Sequence, residues 1–168
     1  MDPEQQTKTI AVIGAGTMGA GIAQLAAAND CTVQLIDING EVLQRGLEGI
    51  KRSLDRLVEK AKLSPAARDA ILARITPSDA VRGIEKVDLA IEAVIEDLDT
   101  KRKVFQQLEQ ATRAGTVLAT NTSSLSVSKI AEAVRDPSRA VGMHFFNPVA
   151  VMPLVEIVAG RQSDPAAV

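Results

Sequence analysis

Two short apolar segments, Thr7–Ile13 (TKTIAVI) and Cys31–Asp37 (CTVQLID), flank the hexapeptide Gly14-Ala15-Gly16-Thr17-Met18-Gly19, and no other part of the chain constrains the fold as much. The first segment is apolar and β-branched, as a strand buried on both faces must be. The hexapeptide has the form Gly-x-Gly-x-x-Gly. Its first glycine permits a tight turn, its second lets the backbone approach a ligand closely, and its third lets a helix pack tightly against the strand. Met18–Ala28, rich in alanine, supplies that helix. A strand, a glycine turn, a helix and a second strand ending in an acid predict a unit whose helix N-terminus receives phosphate.

The rest of the chain continues the alternation. From Asn39 the apolar period becomes helical, with Leu43, Leu47, Ile50, Leu54, Leu57 and Ala61 alternately four and three apart. Ser64 and Pro65, a cap and a first-turn residue, open another helix to about Arg74. The short turn between these two helices predicts an antiparallel hairpin projecting beyond the sheet. Val87–Ala93, Thr116–Thr120, Val141–Phe145 and Leu154–Val158 read as strands, and Asp97–Ala114 and Ser126–Arg135 as helices. The fold class is therefore α/β: a Rossmann-type, doubly wound, mainly parallel sheet with a projecting helical hairpin. The 168 residues suit one such domain. Asp164-Pro165-Ala166-Ala167 resembles the opening of a helix, so a further helical region is expected beyond Val168.

Composition narrows the partners. Nineteen basic against 21 acidic residues, a formal net charge of −2, argue against nucleic acid and against a polybasic membrane surface. No apolar run approaches the roughly 20 residues needed to span a bilayer. Cys31 stands alone, so no internal disulfide can form, and Met1–Lys8 is polar and acidic rather than leader-like. A cytoplasmic location is expected, and no metal site. With no Trp or Tyr, the core must come from Val, Ile, Leu and Ala, which suits a buried parallel sheet.

Gly14, Gly16, Thr17, Met18, Gly19 and Asp37 form the expected dinucleotide site. Asp37 would accept hydrogen bonds from the adenosine ribose, and its charge would repel a 2′-phosphate. Ile38 and Asn39 offer no basic clamp, so the cofactor expected is NAD rather than NADP.

Four later blocks carry a resemblance. Glu92–Asp97 (EAVIED), Ala119–Leu125 (ATNTSSL), Val141–Pro148 (VGMHFFNP) and Val151–Glu156 (VMPLVE) resemble, in order, the signature blocks of the 3-hydroxyacyl-CoA dehydrogenase family. The match runs from about Thr7 to Ala159. The resemblance implies NAD-dependent oxidation of an acyl-CoA substrate. It further implies a C-terminal helical domain, absent from this chain, that carries the interface of a homodimer and a catalytic Asn.

Roles follow from the resemblance residue by residue. His144 matches the catalytic base, and an imidazole titrates near neutral pH, which suits that task. Glu156 matches the carboxylate that orients it. Ser123 matches the serine touching both cofactor and the reacting end of the substrate. Glu96 and Lys101 match residues at the nicotinamide–ribose end, and Asn147 another cofactor contact. Ser53 and Lys60 match positions that bind CoA; with Arg56 they lie three and four apart and so share a helix face. The residues by themselves leave plainer alternatives: first-turn helix charges for Glu96 and Lys101, a capping turn for Asn121–Ser124, and a solvated face for Ser53–Lys60. Two rival functions also stay open at this level, a dehydrogenase of a free hydroxyacid or sugar acid and a non-catalytic NAD-binding module.

Overall fold

The computed structural model describes residues 8–168; Thr7, where the sequence reading begins the first strand, and the polar stretch before it lie outside the described residues. The chain runs β1 (Thr9–Ile13), α1 (Thr17–Ala28), β2 (Thr32–Ile36), α2 (Gly40–Glu59), α3 (Pro65–Ala73), β3 (Ile75–Ser78), β4 (Leu89–Glu92), α4 (Leu98–Ala111), β5 (Val117–Thr120), α5 (Val127–Ala131), β6 (Ala140–Phe145) and β7 (Val155–Ala159), with a short 3₁₀ turn at Pro137–Arg139. One sheet holds the strands in the order β3-β2-β1-β4-β5-β6-β7. Every pair is parallel except β6–β7. The order reverses between β1 and β4, and the crevice for ligands in such a sheet lies outside the carboxyl ends of the strands at that switch.

Alternating side chains build two apolar layers. On one face Ile10, Val12, Val33, Leu35 and Ile91 meet Ile22 and Ala23 of α1, Ile50 and Leu54 of α2, and Ile71 of α3. On the other, Ala11, Ile13, Ile36, Ala90 and Leu118 meet Phe105 and Leu108 of α4 and Ile130 of α5. The strands can be apolar on both faces because helices cover both.

The α2–α3 hairpin forms as its pattern requires. Leu43, Ile50 and Leu54 are buried, and the tip, Glu59–Lys62, is exposed throughout. Ser64 Oγ accepts the Ala67 N–H at 3.1 Å, and Pro65 opens α3. The apolar stripe ends one step early. Lys60 caps α2, and Ala61, at φ 54°, is an exposed turn residue beyond the helix.

Other boundaries move for local reasons. The strand β3 lies in a segment the sequence reading leaves unassigned; it pairs only with β2, so Pro77 removes no needed donor at this edge. The helix α4 stops at Ala111, where Thr112 Oγ1 donates back to the Leu108 carbonyl at 2.7 Å. The helix α5 is shorter than expected because the Glu109 carboxylate takes the Arg135 and Asp136 N–H groups at 2.9 Å and draws the chain out of helix. Asp164–Ala167 makes a single turn, with the Asp164 carboxylate accepting the Ala166 N–H at 2.8 Å. Among the described residues no helix is long and apolar enough to cross a membrane.

Candidate active site

At the end of β1 the chain turns through Gly14, at φ 101°, whose N–H donates to the Ile36 carbonyl at 2.7 Å. A Cβ there would come within 2.6 Å of the Ala93 carbonyl oxygen, so β1 and the end of β4 approach as closely as they do only because the residue is glycine. Gly19 faces the Gly14 carbonyl from the first turn of α1, where a Cβ would be 1.7 Å away. A Cβ on Gly16 would meet nothing within 4 Å. Open space lies on that side. Gly16 caps α1 without any side-chain bond, and no acid occupies the first turn. The leading N–H groups are thus left for an anionic ligand, as the pyrophosphate of a dinucleotide requires. Thr17 is exposed and Met18 half-buried against the core. A cleft of about 320 Å³ opens beside them, bordered by Gly16, Thr17, Arg45 and Gly49.

Asp37, just past β2, has a second task that its sequence position does not disclose. Its Oδ2 accepts the Ala15 N–H at 2.8 Å and its Oδ1 the Asn39 N–H at 2.9 Å. The carboxylate therefore ties the glycine turn to the β2–α2 corner, and each oxygen keeps a lone pair for a ribose hydroxyl. The donor and acceptor set fits NAD.

A second cluster sits at the ends of β4 and β5. Lys101 is not a solvated helix charge: its side chain is 1% exposed, and its Nζ lies 2.7 Å from Glu92 Oε1 and 3.2 Å from Glu96 Oε2. Glu96 Oε1 accepts the Thr122 hydroxyl in a short bond, the Ser123 N–H at 3.2 Å and the Ser124 N–H at 3.4 Å. Burial pushes the Glu96 carboxyl up, but the Thr122 hydroxyl and the Lys101 ammonium outweigh it and hold the group below its ordinary value. Ser123 is exposed, and its hydroxyl makes no hydrogen bond among the described residues.

The third element is β6–β7. In the antiparallel register His144 stands directly opposite Glu156, so both side chains leave one face of the sheet. His144 Nδ1 lies 2.9 Å from Glu156 Oε2, and Phe146 packs beside the imidazole at 4.5 Å between ring centres. An ionised carboxylate only accepts, so it draws the proton onto Nδ1 and leaves the Nε2 lone pair to receive another. His144 is held from below as well. The Asn121 side-chain oxygen accepts the Phe145 N–H at 2.9 Å, while the Asn121 N–H donates to the Glu92 carbonyl at 2.8 Å. Asn121 thereby links the ends of three adjacent strands, a role the sequence reading misses because its partners lie 24 and 29 residues away.

Ser123 follows β5 and His144 lies near the end of β6, so the two stand at the carboxyl ends of neighbouring parallel strands. The glycine turn and Glu96 lie at the same end of the sheet. Asn147 is exposed in the loop after β6. Ser53 and Arg56 lie in α2 and Lys60 at its C-cap, and among the described residues their side chains make no hydrogen bond to any of these groups. Neither Arg56 nor Lys60 forms an ion pair among the described residues, whereas Lys51 pairs with Asp55 at 2.6 Å.

Comparison with known proteins bears on the family and the fold. Residues 9–168 match the family model described as 3-hydroxyacyl-CoA dehydrogenase, NAD binding domain. The chain is 44% identical over 153 residues to the 3-hydroxyadipyl-CoA dehydrogenase of Escherichia coli strain K12, covering 91% of this chain and 32% of that protein. It is 42% identical to the fatty acid oxidation complex subunit alpha of Acinetobacter baylyi, covering 94% of this chain and 22% of that protein. Among solved structures it superposes on the (S)-3-hydroxybutyryl-CoA dehydrogenase of Ralstonia eutropha with a TM-score of 0.93 and 40% identity, over 96% of this chain and 57% of that one. The chain thus spans a third or less of the curated relatives' length. With its fingerprint, sheet order and matched length, the chain belongs to the 3-hydroxyacyl-CoA dehydrogenase family, of which it is an NAD-binding domain.

Proposed function

We propose that this domain serves the NAD-dependent oxidation of an (S)-3-hydroxyacyl-CoA to the 3-oxoacyl-CoA in fatty-acid β-oxidation or related acyl-CoA metabolism. The His144–Glu156 pair carries the reading: an imidazole held through Nδ1 by a carboxylate, with Nε2 left to act, at the carboxyl ends of the strands. His144 Nε2 takes the proton of the substrate 3-hydroxyl as general base. Glu156 fixes the tautomer and stabilises the imidazolium that results. Bound NAD supplies the hydride acceptor. The Ser123 hydroxyl, without a hydrogen-bond partner among the described residues, donates to the substrate oxygen and orients the reacting carbon.

Cofactor recognition is assigned to the amides of Gly16, Thr17 and Met18 for the pyrophosphate, with Gly14 and Gly19 shaping the turn. Asp37 receives the adenosine ribose and disfavours NADP. Glu96, Lys101, Ser123 and Asn147 serve the nicotinamide end. Ser53 and Lys60 meet the CoA moiety, where a hydroxyl and an ammonium with no ion-pair partner among the described residues suit phosphate oxygens. The working enzyme is read as a cytoplasmic homodimer whose C-terminal helical domain supplies the subunit contact and completes the site.

A chimera tests this. Residues 1–168 would replace the matching part of the Ralstonia eutropha enzyme, and acetoacetyl-CoA reduction by NADH would be followed. Turnover with acetoacetyl-CoA but not with free 3-oxo acids is expected. A folded chimera that binds NADH and reduces neither would refute the assignment.

A further inference from the structure

We infer that Glu92, at the end of β4, is a positioning residue that sets the Thr122–Ser124 loop, and with it the Ser123 hydroxyl, through two separate connections. The inference rests on the reading of Ser123 given above. Glu92 is wholly buried, and the proposed chemistry gives it no part. Its Oε1 accepts Lys101 Nζ and the Val94 N–H, both at 2.7 Å; its Oε2 accepts the Thr120 hydroxyl at 2.7 Å. The first connection runs from Lys101 Nζ to Glu96, whose other oxygen collects Thr122, Ser123 and Ser124. The second runs through Thr120, whose Oγ1 donates to Glu92 while accepting the Thr122 N–H at 3.3 Å.

The arrangement is poorly explained by stability. A buried ion pair recovers its desolvation cost only with good geometry, and a matched apolar pair in its place is often neutral or stabilising. The composition of the cluster points elsewhere. Two carboxylates share one ammonium, and Glu92 fixes that ammonium in place. Because Lys101 is anchored from inside the sheet, Glu96 is held within reach of the loop amides rather than swinging into solvent. Thr120 in turn points its one proton inward to Glu92 and so offers a lone pair to the Thr122 N–H. Both connections lead to the loop that bears Ser123.

The test uses this chain, with amide NMR signals of Thr122–Ser124 as one readout and NADH affinity as the other. Glu92→Gln/Lys101→Met removes both buried charges together. Thr120→Val removes one hydroxyl with no change of charge, and Thr120→Ser restores it. With the signals of Val12 and Leu35 native, the double variant should displace the Ser123 and Ser124 signals and weaken NADH about tenfold, the scale of one lost hydrogen bond to a charged group. Thr120→Val should displace the Thr122 signal, and Thr120→Ser should return it. Native loop signals in a folded double variant would overturn the inference whatever the affinity, because Lys101 is itself assigned to the cofactor. If the double variant does not fold, native loop signals in Thr120→Val would do the same. Displaced signals with unchanged NADH affinity would uphold the positioning while removing both Ser123 and Lys101 from the cofactor's side, which tests the two readings apart.

Discussion

Gly46 of α2 rests against the Ala15 carbonyl, so closely that a Cβ would lie 2.5 Å from the oxygen. The contact brings α2 onto the glycine turn, and only the helix's missing side chain allows it. Gly46→Ala must displace α2 or the turn, since backbone cannot rotate away as a side chain can. It should cost about 1–3 kcal/mol, the range for overpacking a close contact. Denaturant titration reads that cost. NADH titration should show weaker binding as well, because Gly16 shifts with Ala15. Unchanged binding with lowered stability would mean that the displacement falls on α2 alone.

Asp37 should govern the choice of dinucleotide. The wild-type chain is expected to favour NADH over NADPH by at least about tenfold, or 1.4 kcal/mol. Asp37→Ala should narrow that ratio. It should also weaken both cofactors, because the Ala15 N–H loses its acceptor along with the ribose. Equal affinities in the wild type would sink the assignment.

In the chimera, His144→Gln should lower kcat by about 10²–10⁴-fold while leaving NADH affinity nearly intact, as loss of a general base does. Glu156→Gln should lower kcat less, since the imidazole stays and the amide oxygen can still accept from Nδ1, so that chiefly the negative charge beside it is lost. A Glu156→Gln enzyme as impaired as His144→Gln would make the carboxylate more than an orienting group.

Asn121→Ala tests the support beneath His144. It leaves the Phe145 N–H without its acceptor, at a cost of about 1–3 kcal/mol for an unsatisfied partly buried donor. Thermal unfolding measures that loss, and the His144 imidazole signals in NMR should move as β6 relaxes. Stationary imidazole signals would count against the link.

Acid should weaken the fold through a defined set of carboxylates. The Thr9 backbone N–H, against burial, holds Asp88 below its ordinary value; the Thr100 hydroxyl does so for Asp97, and Thr122 and Lys101 for Glu96. Each has a folded pKa below its unfolded one, so its contribution is complete above the unfolded values near 4 and fades as pH falls through the folded ones. Stability should therefore be flat toward neutral pH and decline below about pH 4. Asp88→Asn should make the decline shallower in urea titrations across that range.

Much of this molecule is decided locally and is therefore legible in the sequence. The strand–glycine–helix unit can be read because its constraints fall on single residues: a positive φ at Gly14, open space at Gly16, close packing at Gly19. Ser64 caps α3 through a bond spanning three residues, and the α2 stripe reflects a period of 3.6. Expectations failed where neighbours distant in sequence intervene. Ile75–Ser78 contains a proline and looks unlike a strand, yet the free edge of β2 recruits it. Glu109 shortens α5 from 26 residues away.

The candidate site divides in the same way. The sequence by itself determined which residues are candidates for the chemistry, because histidine, carboxylate and glycine turn occur in recognisable blocks. Only the tertiary structure decided how they are held. His144 meets Glu156 because the β6–β7 register sets them opposite, and a slip of one residue would send either side chain to the other face. Lys101 resembles an ordinary helix charge until packing of α4 on β4 buries it against Glu92. Asn121, Thr120 and Glu92 acquire their roles from strand order alone, because parallel neighbours lie side by side in the sheet but far apart in the chain. Local preference acts over a few residues, whereas a site at the strand ends is assembled by long-range pairing.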